Sequence, residues 1–324
     1  MIQKAFFGQS LRTAASRIRS AKKILITGHI YPDGDTIGSL LALGLGLLDI
    51  GKRVVMVSPD GMPPRFQFLP GSELVLDDFV GRADLAIAVD CGSEKQLGEI
   101  KGAFHKARKT IQIDHHDFGD AFGEELVVDT DAAAVGEIIY DLLVLLKAKI
   151  TPAIATCLLT SIIVDTGSFR FSNIRSRTFA ICADLLNRGV DLRYLIEESY
   201  WKKSVATARL EAVAISKMRF EMNGKLVWTL VRQNDFKRAG GLMADVDGVA
   251  DDLRSIEGVK VACVIRETED GKYRVSLRSE IGYNVAKVAK RFGGGGHHYA
   301  AGCVLRGTKL QRDQLLKHLC EILA

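Results

Sequence analysis

No stretch of this 324-residue chain stays apolar long enough to span a bilayer; the greasiest run, Leu40 to Ile50, is about half the length a membrane helix needs. An apolar signal core is missing too, because Gln9 to Lys23 alternates basic and small residues, so no secretory leader is expected. Cysteine is scarce: the six thiols are scattered and form no close pair at zinc-ligand spacing. That argues against a structural zinc site and for reduced thiols in a cytoplasmic protein. Aromatics make up only 7% of the chain, and no segment interleaves them with basic residues as RNA-stacking surfaces do, so a long nucleic-acid track is not expected. There is no internal repeat and no low-complexity segment. The net charge of +5 permits a polyanionic partner without requiring one.

What is present is ordinary globular material, 47% hydrophobic and 26% charged, with a length that suggests two domains. Leu11, Ala14, Ala15 and Ile18 recur at helical spacing. Apolar runs at 23–27, 53–57, 85–89 and 110–113 read as strands, and 37–49, 135–146 and 153–163 read as helices. Continuous apolar strands alternating with helices predict an α/β domain with a parallel sheet covered on both faces, over residues 1–190. Residues 191–218 are charge-rich at helical spacing and are expected to form one linker helix. From 219 to 324 the strands at 225–231, 259–266 and 273–278 alternate more like half-buried ones, and a final helix is expected at 310–323. This predicts a smaller α+β domain.

Acids and histidines fall where these strands end. The first strand runs into Gly28-His29-Ile30-Tyr31-Pro32-Asp33-Gly34-Asp35, the third into Asp90, the fourth into Asp114-His115-His116, while Asp165 ends an apolar helical run. In open α/β sheets ligands bind at the carboxyl ends of the strands. If Asp33, Asp35, Asp90 and Asp165 converge, each like-charge pair costs on the order of 4 kcal/mol at about 4 Å and an effective dielectric near 20. Protons or cations must then neutralise them. Histidine beside the acids favours a transition metal such as Mn²⁺ over magnesium held by oxygen alone. Two divalent ions roughly 3.5–4 Å apart would satisfy the charges and supply an activated water for in-line attack on phosphorus.

His29-x-x-x-Asp33-Gly34-Asp35, Asp90, Asp114-His115-His116 and Asp165-Thr166-Gly167, in that order, resemble the four motifs of the DHH phosphoesterase family. Gly293-Gly294-Gly295-Gly296-His297-His298, Gly241-Leu242-Met243-Ala244-Asp245 and Val275-Ser276-Leu277-Arg278-Ser279 resemble the nucleotide-binding domain associated with it. The resemblance covers nearly the whole chain and, in layout, is nearest the nanoRNase and 3′-phosphoadenosine 5′-phosphate phosphatase branch. It implies His29, Asp33 and Asp90 on one ion, and Asp35, Asp90, His115 and Asp165 on the other, with Asp90 bridging. It further implies that Asp114 orients His115, that His116 faces the scissile phosphate, and that Arg278, Gly294, Gly295, Gly296 and His297 grip the substrate from the second domain. The sequence departs from the family pattern at Asp117-Phe118-Gly119-Asp120, where an asparagine is common, and at Ala132-Ala133-Ala134, where serine or threonine is common.

The activity so implied is hydrolysis of short RNA from an end and dephosphorylation of 3′-phosphoadenosine 5′-phosphate, with dinucleotides as further substrates and no membrane partner. An enzyme of cyclic or linear di-adenylate is the nearest rival. A pyrophosphatase is a poorer match, since those enzymes lack the glycine-rich His-His loop. A silent nucleotide or RNA sensor would be expected to have lost metal ligands, and all are present. The oligomeric state stays open, a homodimer among the options.

Overall fold

The computed structural model describes residues 2–116 and 120–324, which form two compact units meeting in sequence between Lys202 and Lys203. Asp117, Phe118 and Gly119, part of the first departure from the family pattern, lie outside the described residues.

In the first unit the order is α1 (Ile2–Ser20), β1 (Lys23–Thr27), α2 (Gly34–Asp49), β2 (Arg53–Val57), β3 (Val75–Leu76), β4 (Leu85–Val89), α3 (Lys101–His105), β5 (Lys109–Asp114), β6 (Glu125–Val128), α4 (Val135–Leu146), α5 (Pro152–Asp165), α6 (Ser176–Asn187) and α7 (Leu192–Ile196). The six strands form a sheet of order β3-β2-β1-β4-β5-β6, and every pairing is parallel. All five residues of β4 are buried, the pattern of a strand covered on both faces. Ile24, Ile26, Ile87 and Ile113 pack with the apolar faces of α2, α4 and α5, while Leu25, Ala86 and Ala88 pack with Leu97, Ile100 and Phe104 on the other side. The strand order reverses direction between β1 and β4. That is the switch point of a doubly wound sheet, where the loops leave in opposite directions and open a crevice at the strand ends.

The second unit comprises α8 (Val205–Ser216), β7 (Arg219–Glu221), β8 (Leu226–Val231), α9 (Gln233–Ala239), α10 (Val249–Arg254), β9 (Val261–Glu267), β10 (Tyr273–Ser279), α11 (Val285–Arg291), β11 (Gly295–His297), β12 (Ala300–Leu305) and α12 (Lys309–Glu321). Its sheet, β11-β12-β10-β9-β8-β7, is antiparallel except for the β8–β9 pair. Alternation along β8 sends Leu226 and Trp228 to one apolar cluster, and Val227 and Val231 to the other.

The single linker helix expected over 191–218 is not formed. After α7 the chain makes one π-helical turn, Glu197–Trp201, leaves helical geometry at Lys202 (ψ 59°) and restarts as α8. Ser204 caps that restart by accepting the Thr207 amide at 3.0 Å, and a serine at such a position favours a new helix over continuation of the old one. Leu210 and Ala214 of α8 are buried in the core of the second unit. Helical charge periodicity therefore concealed a break made by backbone capping. Among the described residues, no helix is long and apolar enough to cross a membrane.

Candidate metal centre

The loop after β1 turns into α2 earlier than periodicity suggested, because Asp33 is an N-cap. Its Oδ1 accepts the amides of Asp35 (2.9 Å) and Thr36 (3.1 Å), so Asp35 lies in the first helical turn rather than in the loop. Gly28 is required here, since a Cβ would come within 2.1 Å of Thr36 Cγ2. His29 Nδ1 lies 2.7 Å from the Ile30 carbonyl, which turns Nε2 toward Asp90 Oδ2 at 3.5 Å.

Asp90 follows β4 with φ of 59°, a left-handed conformation that a non-glycine residue adopts at a cost and that often marks a functional turn. Thr36 Oγ1 donates to its Oδ2 at 2.7 Å, while its Oδ1 lies 3.8 Å from His116 Nδ1 and 4.0 Å from His115 Nε2. His115 Nε2 is also 3.6 Å from Asp35 Oδ2 and 3.5 Å from Asp165 Oδ2. Asp35, only 1% exposed, accepts from Ser161 Oγ (2.6 Å), Ser39 Oγ (3.0 Å) and the amide of Val135 (2.8 Å) at the start of α4. The α4 N-terminus approaches this closely because residue 136 is glycine; a Cβ there would sit 2.2 Å from Ser161 Oγ.

The residues expected at the carboxyl ends of the strands are thus gathered in one crevice. His29, Asp33 and Asp90 make one group of convergent ligand atoms, and Asp35, His115 and Asp165 make another. The orienting role assigned to Asp114 needs correction. Its Oδ1 accepts the His115 amide at 2.8 Å and lies 2.7 Å from the His116 ring, so it orients His116. The His115 ring points away, with Nδ1 3.1 Å from the Ala132 carbonyl. The reason is local: a carboxylate at the last position of a strand folds back over the amides that follow it.

Burial and crowding of charge shift several of these groups. Burial and the neighbouring Asp90 push Asp35 well above the carboxylate range. Asp165 rises to about 6, through burial first and then Asp33 and Asp90, against the opposing pull of His115. Burial alone would depress His29 and His116, but Asp90 lifts the former to about 9, and Asp114 with Asp90 lifts the latter to about 10. Without metal, then, protons are favoured on Asp35, Asp165, His29 and His116.

Whether the donor set fits a cation can be judged from two features. Two donors bound to one ion at about 2.1 Å stand roughly 3.0–3.4 Å apart, close to the separations of 3.5–3.6 Å seen around His115 Nε2 and too long for good hydrogen bonds. Moreover, Asp165 Oδ2 is buried without a hydrogen-bond partner, a costly state that a cation would relieve. The residues fit divalent ions.

Sequence reading missed the hydroxyls behind the site: Thr36, Ser39 and Ser161. Spacing held the signal, as Ser39 stands one helical turn after Asp35, and Ser161 one turn before Asp165.

In the second unit, Arg278 Nε donates to Asp251 Oδ1 at 2.9 Å, so this arginine is held by an ion pair at partial burial. His297 ends β11. Two loop glycines answer to packing: a Cβ on Gly294 would lie 2.1 Å from the Gly302 carbonyl oxygen, and one on Gly296, at φ 126°, 2.5 Å from that of Ala300. Gly295 has open space beside it.

Comparison with known proteins identifies the family and the fold. Residues 23–162 match the DHH family N-terminal domain, and residues 213–324 match the DHHA1 domain. A protein of Thermus thermophilus named bifunctional oligoribonuclease and PAP phosphatase NrnA is 33% identical over 97% of this chain and 94% of its own. Among solved structures, an exopolyphosphatase-related protein from Bacteroides fragilis superposes with a TM-score of 0.88 at 24% identity, over 97% of this chain and 96% of that one. RecJ from Thermus thermophilus, solved in complex with Mn²⁺, gives 0.55 at 14% identity, over 96% of this chain and 54% of RecJ. The chain belongs to the DHH phosphoesterase family and is a hydrolase of phosphoester bonds.

Proposed function

We propose that this protein is a two-metal, manganese-dependent enzyme that hydrolyses short RNA oligonucleotides from an end and removes a phosphate from 3′-phosphoadenosine 5′-phosphate. Support for the substrates comes from the named activities of the Thermus relative, and support for the chemistry from the site. The observation that carries it is the placement of Asp90: Oδ2 faces His29, and Oδ1 faces His115 and His116. A carboxylate with an oxygen toward each of two donor groups is the part a paired site needs.

His29, Asp33 and Asp90 would hold one ion, and Asp35, Asp90, His115 and Asp165 the other. Bound divalent ions supply Lewis acidity toward the phosphoryl oxygens and lower the pKa of water. His116, kept protonated by Asp114, would place positive charge and a proton beside the scissile phosphate. Asp90 needs its left-handed backbone to present its carboxylate at the strand end, and Thr36 keeps that carboxylate from turning. Arg278, Gly294, Gly295, Gly296 and His297 of the second unit would grip a phosphate and a base. Cytoplasmic residence follows from such substrates.

The test is turnover by purified protein in Mn²⁺ on di- and tri-ribonucleotides, 3′-phosphoadenosine 5′-phosphate, linear and cyclic di-adenylate, and pyrophosphate. Preference for the short RNAs and the bisphosphate is expected. A clear preference for the di-adenylates would reassign the substrate with the site intact, and binding without any turnover would contradict catalysis.

A further inference from the structure

A cationic surface of the second unit lies at the sheet edge opposite the glycine-rich loop. Two cavities of about 440 and 430 Å³ adjoin at Ser216 and Lys217, at the end of α8, which line both. Six cations line it: Arg209, Lys217, Arg219, Arg232, Arg238 and Arg312. Asp235 is the one carboxylate among the described lining residues, and it is taken by Lys217 at 2.6 Å. Arg312 pairs with Asp313, whereas Arg209, Arg219, Arg232 and Arg238 enter no ion pair among the described residues.

Trp228 organises the floor. Its ring is 94% buried (6% exposed), its Nε1 donates to Glu221 at 2.9 Å, and the guanidinium carbons of Arg219 and Arg312 lie 5.4 and 5.5 Å from its centroid. Guanidinium groups held against an aromatic ring lose less freedom when they bind an anion, and their planar forks suit phosphate. The sheet edge there is open as well: β7 pairs only with Leu226–Trp228, and β8 runs on to Val231 beyond it.

Unmatched cations spread over two adjoining cavities suit several phosphates in a row better than one. The geometry points to a second anion-binding groove in which this face takes successive phosphates of a single-stranded oligonucleotide. That the polyanion is a nucleic-acid strand rests on the functional reading above; the cationic groove does not. β7 and β11 are opposite edges of a six-stranded sheet, about 24 Å apart at strand spacing, so the groove is separate from the loop carrying His297.

Binding can be measured with full-length, metal-free protein in chelator, using a fluorescent oligoadenylate of about ten nucleotides. For the variant Arg232→Glu/Arg238→Glu, at two exposed positions, affinity should fall at least about tenfold. The slope of log affinity against log salt should shrink by about 1.4, roughly 0.7 for each of two lost phosphate contacts. Arg232→Lys/Arg238→Lys should keep most of that slope. Dinucleotide turnover in Mn²⁺ should match wild type, which also shows that the variant folds. Unchanged affinity and slope would overturn the groove, as would a wild-type protein that binds the oligonucleotide no better than inorganic phosphate. If wild type turned over no dinucleotide yet the variant lost oligonucleotide binding, the catalytic reading would fall and the groove would stand.

Discussion

The two sheets of this protein present charge in opposite ways. In the first unit the candidate reactive groups sit at the switch point of a parallel sheet, buried or half-buried, and nearly all are acids and histidines whose charges must be matched from within. In the second unit the groups proposed to meet substrate lie along a partly exposed antiparallel edge and in a groove of arginines that water can solvate. Burial makes the first set unforgiving: each carboxylate needs a hydroxyl, an amide, a proton or an ion. Solvation makes the second set tolerant, fit for substrates that differ in length. On the proposed reading, the first arrangement carries the chemistry and the second grades recognition.

The largest effect expected from breaking this contrast is at Asp90. Asp90→Asn keeps a side chain that tolerates the left-handed backbone but removes the charge, and turnover of dinucleotide should fall roughly a thousandfold or more. Near-normal kcat for that variant would contradict the shared role of this carboxylate.

Protonation gives the next test. His29 rises from 6.5 to about 9 on folding, so its stabilising proton is fully present below pH 6.5 and lost as pH climbs through 9. Asp165, raised from 3.8 to about 6, also binds more protons folded than unfolded, so stability falls across that lower window as well. The Tm of metal-free protein should therefore drop between pH 6.5 and 9, and Mn²⁺ should restore progressively more of it as pH rises, because the ion replaces protons. A Tm in chelator that rises over this range would show the sign to be wrong.

Smaller changes follow from the residues behind the ligands. Ser161→Ala removes the shortest hydrogen bond to Asp35 and should weaken Mn²⁺ binding about 10- to 100-fold, read by calorimetric titration. His297→Ala should raise KM by about tenfold while leaving bound metal unchanged, as measured by elemental analysis of the dialysed protein. Loss of metal from that variant would move His297 into the metal set.

Much of the first unit was legible in the sequence because its strands are short, apolar on both faces and interrupted by helices, so their carboxyl ends could be located to within a residue. The acids and histidines at those ends followed directly. The N-cap at Asp33 is less visible, since a cap is read from backbone amides and apolar periodicity begins only at Ile37, so Asp35 falls inside a helix that starts earlier than its pattern. Position 114 differs from what the resemblance implies, because the turn after β5 brings its carboxylate to the His116 ring instead of the His115 ring. The second unit was harder. Strand β11 is three residues of glycine and histidine with no apolar alternation, and α9, α10 and α11 are short. Its basic groove is assembled from residues nearly a hundred positions apart, Arg219 and Arg312 meeting on Trp228, which no local pattern reveals.

The most direct measurement is electron paramagnetic resonance of the Mn²⁺-loaded protein alongside its Asp90→Asn variant, with bound metal counted in both. Two ions per chain and an exchange-coupled signal that disappears in the variant are the predicted result. A single ion, or two uncoupled signals that the substitution leaves unchanged, would contradict the claim that Asp90 joins two ligand groups into one site.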